Sequence, residues 1–346
     1  MRIKNLILPF VSAILFTTCK KNDEPDVPKD VYAVGLVSNG SGNIATLWKN
    51  GVATYLTDST YFSEASAVFV IDSDVYVAGF AGKGSEYMAK VWKNGVATNL
   101  TNGKHYARAN SVFVSGKDVY VAGQECEYGA GCAAMIWKNG VAVNLTNGET
   151  KADVNSVFVS GGDVYAAGFE STAKSRYLAR VWKNGVAINI DGNIDEKQIS
   201  QAKSIFVHNN DVYVAGFVAS YENNKTTTIA KVWKNGVAIN LTDGEFIAEA
   251  NSICIGNQDI YVSGRVFTGV YKAKAWKNGV ITDLTDGTKE AEANSIYVSG
   301  QDIYVGGFER KDGYDSKTVA KIWKNGVATN LTDGTKNAVV YSVFVK

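Results

Sequence analysis

Residues 47–56 read LWKNGVATYL, and the tetrapeptide WKNG inside this stretch occurs seven times, taking up all seven tryptophans of the chain. Asn-Gly is a strong hairpin signal, because a type I′ turn needs positive φ at both central residues and these two residue types tolerate it. The segment that ends in the tryptophan and the segment that starts after the glycine therefore read as two antiparallel strands. Whether WKNG marks seven binding sites or one piece of scaffolding made seven times depends on what surrounds it.

Three further motifs recur with it in fixed order. An apolar strand appears as SAVFV at 66–70 and as variants such as SVFVS, SIFVH, SICIG and SVFVK. A second strand, typified by DVYVAGF, begins at Asp30, Asp74, Asp118, Asp163, Asp211, Asp259 and Asp302, at spacings of 44, 44, 45, 48, 48 and 43 residues. The third leads into the tryptophan, and the fourth follows the glycine as in VATNLTDG. Val, Ile, Tyr, Phe and Trp dominate these runs, turn residues bound them, and no proline follows Pro28 to bar a strand from a central ladder position. A period in the forties carrying four β segments is the signature of propeller blades.

Counting the motifs shows how the ring closes. The first motif after the N-terminal region is a second strand at Asp30–Gly35, whereas the chain ends in a first strand, 342–346. Seven complete sets arise only if that last strand joins the first three, which also removes an exposed edge. The expected fold is all-β, a seven-bladed β-propeller of four-stranded antiparallel blades, closed by the C-terminal strand completing the first blade and spanning residues 30–346. The DVYVAGF strands resemble the bacterial seven-bladed propeller repeats of the SBBP type, whose repeats carry a similar vYvtG strand. The resemblance implies the architecture over residues 30–346 and no particular activity.

The N-terminus follows another logic. Arg2 and Lys4 precede an apolar run, Leu6 to Phe16, and Thr17 and Thr18 precede Cys19 and the charged stretch KKNDEPDVPK. That is the layout of a secretory signal, and the run is too short for a bilayer that needs roughly twenty residues. A cysteine at its end resembles the lipobox of bacterial lipoproteins, which implies a signal peptide over 1–18, lipidation of Cys19 and a tether over 19–29. The alternative is an ordinary cleaved signal with an incidental cysteine. Lipidation implies a location at the bacterial cell envelope, with the membrane engaged through the lipid anchor alone.

Lysines and arginines number 35 against 34 acidic residues, so charge offers no reason to expect nucleic acid as a partner. Only two histidines, His105 and His208, are present, and no D-x-D-x-D loop, G-x-S-x-G elbow or P-loop occurs. No metal or cofactor is expected. Cys126 and Cys132 flank one loop and are expected to form a disulfide, and Cys254 replaces an aromatic residue of the first strand as a buried small hydrophobe.

In a meander, the short turns between strands one and two and between three and four share one face. The other face holds the longer connections, whose length varies: from motif glycine to tryptophan the separation is 13, 13, 14, 14, 17, 12 and 16 residues. Variable loops on a rigid scaffold point to function, and six of these carry tyrosine: Tyr87, Tyr128, Tyr177, Tyr221, Tyr271 and Tyr314. They are the candidate ligand contacts, although Tyr87, Tyr177 and Tyr271 lie close enough to strand three to pack there instead. Glu64, Arg108, Asp153, Glu249 and Glu292 fall in the interblade connections, and Arg108, Arg176, Arg265 and Arg310 are candidates for an anion site on the axis. The leading expectation is a non-enzymatic, envelope-anchored binding module for a glycan, peptide or protein. A polysaccharide-acting enzyme using a carboxylate pair among Glu64, Glu249 and Glu292, or a structural scaffold lipoprotein, are the alternatives.

Overall fold

The computed structural model describes residues 29–84, 86–171, 176–190, 197–222, 225–311 and 317–346. Cys19, the expected signal peptide, the tether up to residue 28 and Tyr314 lie outside the described residues. Seven four-stranded antiparallel sheets follow one another around an axis. The second blade shows the pattern, with strands Phe62–Ile71, Asp74–Lys83, Glu86–Lys93 and Val96–Asn99 running from the axis outward. The first blade is composite: Ala338–Val345 is its inner strand and pairs with Val31–Ser38, which pairs with Asn43–Lys49 and then Val52–Tyr55. The seam is locked by reciprocal backbone bonds between Asp30 and Lys346, at 2.8 and 2.9 Å. No helix among the described residues is long and apolar enough to cross a membrane.

The WKNG hairpins show why seven copies were made. The asparagine and glycine of the first copy have φ of 51° and 83°, as a type I′ turn requires, and the other six copies match. Each tryptophan is at most 1 % exposed. Each also sits in a different interblade core: Trp137 packs against Tyr76, Ala78 and Ala89 of the preceding blade, and Trp48 against Tyr304, Ala320 and Ile322 across the seam. Trp92, Trp182, Trp233, Trp276 and Trp323 fill the remaining five interfaces. Burying roughly 200 Å² of indole contributes up to about 5 kcal/mol per copy, an upper figure because the unfolded chain already hides some surface.

The lysine and the asparagine of the motif are equally occupied. The lysine ammonium pairs with the aspartate that opens DVY, at 2.7–2.9 Å in every blade, and lies over the tyrosine ring of the same motif. The asparagine side chain donates to that aspartate and accepts from the next backbone N–H, for example 2.7 Å to Asp30 and 2.8 Å from Val31. The lysine bonds first, and the asparagine bonds second, hold each of these aspartates below the usual carboxylate range. The outer strands are only four residues long, with every residue exposed, which leaves little edge for another chain to pair with.

One feature of the inner strands departs from the sequence reading. They begin earlier than the apolar motif, so Glu64, Arg108, Asp153, Glu249 and Glu292 are strand residues and not interblade connections. Each inner strand then carries a β-bulge, in chain order at Ser66, Asn110, Asn155, Lys203, Asn251, Asn294 and Tyr341. The motif glycine of the second strand makes room for it. A Cβ on Gly123 would lie 1.9 Å from the Arg108 carbonyl oxygen, and the six equivalent glycines face the same approach at 1.8–2.0 Å.

Candidate functional site

The bulges build a polar funnel on the axis. A cavity of about 420 Å³ is lined by the bulge residues, by the residue after each bulge, and by Glu64 and Arg108 nearer the variable-loop face. The residue after the bulge is serine in six blades and Ala67 in the second. Each serine oxygen accepts an N–H bond from the inner strand of the next blade, as in Val157 to Ser111 at 3.1 Å, and Ser342 carries the same bond across the seam to Val68 at 3.3 Å. The asparagines at the bulges tie blades in a second layer: Asn155 donates to the Ala202 carbonyl at 2.7 Å and Asn294 to that of Val340 at 2.8 Å. Toward the hairpin face the axis is surrounded by an aromatic collar. Tyr297, Phe344, Phe69, Phe113, Phe158 and Phe206 form successive ring contacts at 4.6–5.2 Å, and Cys254 occupies the seventh position. Burial pushes the Cys254 thiol up to about 11 and the Tyr297 hydroxyl up to about 12, so both stay neutral there.

Charges around the funnel mouth alternate in sign. From the second blade onward the order is Glu64, Arg108, Asp153, Lys203, Glu249, Arg265, Glu292, and the first blade breaks the series with Val339 and Tyr341 at the same registers. Arg108 reaches Glu64 at 3.4 Å and lies over the Phe80 ring. Arg265 bridges Glu249 at 2.9 Å and Glu292 at 3.1 Å while stacking on Tyr271. Asp153 and Lys203 form no ion pair among the described residues; Asp153 accepts from Asn110 at 2.8 Å, and Lys203 lies over Phe217. Burial raises the Asp153 carboxyl to about 7, against the pull of Arg108, and it also raises Glu64 and Glu292. Burial lowers Lys203, partly offset by Glu249 and Glu292.

The candidate residues from the sequence separate in space. Of the four arginines, only Arg108 and Arg265 stand at the axis: Arg310 pairs with Glu290 at 2.5 Å, and Arg176 bonds the Gln198 carbonyl at 3.4 Å. Tyr87 packs among Phe62, Phe80 and Tyr106, and Tyr177 packs on Phe169. Tyr271 and Phe267 line a separate cavity of about 500 Å³ with Thr288, Lys289, Glu290 and Arg310. Tyr128 is fully exposed in the loop closed by the Cys126–Cys132 disulfide (S–S 2.12 Å), and Tyr221 is 59 % exposed near the end of its strand. None of these five described tyrosines lines the axial cavity; Tyr341 does. No group of three or more His, Cys, Asp or Glu side chains that could hold a metal occurs among the described residues.

Sequence reasoning passed over the bulge residues, Lys203 above all. The signal that could have found them is the glycine of each DVYVAG strand, since a glycine inside a strand marks a bulge or a close backbone approach opposite it.

No family model and no curated protein matches this sequence. Among solved structures it is similar to a Mycobacterium tuberculosis puromycin-hydrolyzing peptidase, with a TM-score of 0.57 and 11 % identity over 86 % of this chain and 53 % of the peptidase. The chain thus spans about half the length of that protein, and at such identity the likeness concerns the fold alone.

Proposed function

We propose that this protein is a non-enzymatic binding module held at the bacterial cell envelope, which presents its variable-loop face to a glycan, peptide or protein ligand. The observation that carries this reading is the axial cavity: a concave, polar site of a volume usual for small-molecule and side-chain recognition, roughly 300–1,000 Å³. The WKNG units support it from the other side, because their lysine and asparagine side chains bond within the blade and their tryptophans are buried, which leaves no seven-fold set of sites.

Anchoring rests on the N-terminal pattern and on lipid attachment at Cys19, in keeping with a lipoprotein built from SBBP-type repeats. Labelled palmitate should enter the full chain in a bacterial host and fail to enter Cys19→Ser. Binding is tested by probing the propeller against glycan and peptide arrays, with Tyr128→Ala and Tyr221→Ala for the loops and Lys203→Met for the funnel. Signals lost in these variants support the module; silence on both arrays, or turnover of a polysaccharide, overturns it.

A further inference from the structure

The funnel wall contains hydrogen-bonding capacity that the fold itself does not use. Ser111, Ser156, Ser204, Ser252, Ser295 and Ser342 each accept an interblade N–H bond at 3.1–3.3 Å. A hydroxyl has one proton of its own to give, and no acceptor among the described residues takes it from any of the six. One layer toward the mouth the opposite holds. Asn110, Asn155, Asn251 and Asn294 spend their amide N–H groups on neighbouring carbonyls, and no donor among the described residues meets their side-chain oxygens. Free donors and free acceptors therefore stand in adjacent rings of one cavity.

Lys203 adds a charge. It occupies a bulge position where asparagine elsewhere bonds the next blade, yet its ammonium makes neither that bond nor an ion pair among the described residues. The other cation lining the cavity, Arg108, is already joined to Glu64. A partly desolvated ammonium that lies on the Phe217 ring but makes no ion pair among the described residues is costly, and an anion placed against it removes that cost. Across the axis from Lys203, Tyr341 on the first blade supplies an aromatic side chain where the charged series is interrupted.

We propose that the axial cavity binds an anionic sugar, with its carboxylate or phosphate on Lys203 and its hydroxyls set between the serine O–H donors and the asparagine oxygens. The proposal rests on the binding-module reading and names the ligand class for it. A hydroxyl gives one proton and accepts another, so a polyol satisfies both rings at once, whereas a bare anion leaves the asparagine oxygens unmet. The C–H face of a sugar ring suits Tyr341. A divalent cation does not fit, because the one carboxylate lining the cavity is committed to Arg108.

Titration calorimetry of the propeller with glucuronate, galacturonate, glucose 6-phosphate, glucose, acetate and inorganic phosphate tests this. At least one of the three anionic sugars should bind, and the uronates against the sugar phosphate tell which anion is preferred. Glucose, which lacks the charge, and acetate or phosphate, which lack the hydroxyls, should bind roughly tenfold or more weakly. Lys203→Met, checked for an unchanged melting temperature, should lose a similar factor. Should none of the anionic sugars bind, or glucose bind as well as they do, the wild-type protein alone disproves the proposal. If peptides or proteins bind the variable face while anionic sugars do not, the binding module stands and this ligand class falls.

Discussion

The two ends of each inner hairpin treat polar atoms in opposite ways. At the hairpin face, the aspartate of DVY and the lysine and asparagine of WKNG bond one another in all seven blades, so repetition there yields a fastening. At the axis, the bulge position changes identity from blade to blade, through serine, asparagine, lysine and tyrosine; its asparagines leave amide oxygens open and the serines that follow leave hydroxyl protons open among the described residues. A repeat built to be identical makes stability; a repeat allowed to vary at one position makes an asymmetric site. The seven-fold motif that first draws the eye is scaffolding, and Lys203, the axial lysine without an ion pair among the described residues, stands where the repeat is broken.

Four experiments put that contrast to the test. Deleting residues 341–346 should have the largest effect, because it removes most of the inner strand of the composite blade together with the Asp30–Lys346 and Ser342–Val68 bonds. Loss of a cooperative melting transition is expected, and a truncated protein that melts like the intact one would show the closure to be dispensable. Trp233→Ala should cost about 3–5 kcal/mol in urea unfolding, as for other large-to-small core changes, while Val237→Thr on the exposed outer strand should cost a small fraction of that.

The third experiment concerns pH. Folding raises the Asp153 pKa to about 7, so between about pH 4 and pH 7 the folded state binds more protons than the unfolded one. Stability from this group is therefore greatest at the acid end of that window and declines as pH rises, levelling off above 7. The aspartates of the hairpin face work in the other direction: folding lowers their pKa, so their contribution is present at neutral pH and is lost as pH falls through the folded values. Urea midpoints at pH 5 and pH 8 should differ less in the acid-favouring sense for Asp153→Asn than for the parent. The smallest effect is a gain. Ala67→Ser restores the one missing hydroxyl of the axial ring, opposite the Val112 N–H, and should stabilise by about 0.5–1.5 kcal/mol in the same assay.

Much of the fold was legible because its signals are local. Asn-Gly turns, alternating strands and a regular period each depend on a few neighbouring residues, and the count of strands at the two termini implies the composite blade. The site was legible only in part. Glu64, Arg108, Asp153, Glu249 and Glu292 stand out as charges in the sequence, but their place inside the inner strands depends on a bulge that shifts the register by one residue. Lys203 looks like any lysine until its bulge position and the neighbouring blades put it on the axis. Tyr87 and Tyr177 read as loop residues because strand three begins earlier than its apolar run suggests, and there they pack on Phe80 and Phe169.

The blade, the number of blades and the way the ring is closed are written in the local sequence, since short-range turn chemistry and periodicity specify a repeating unit and its count. Which polar groups meet, and which are left without partners, was decided only by the closed ring. Residues about 45 positions apart become neighbours across each blade interface, and nothing in the local pattern of one repeat states what the next repeat will bring to it.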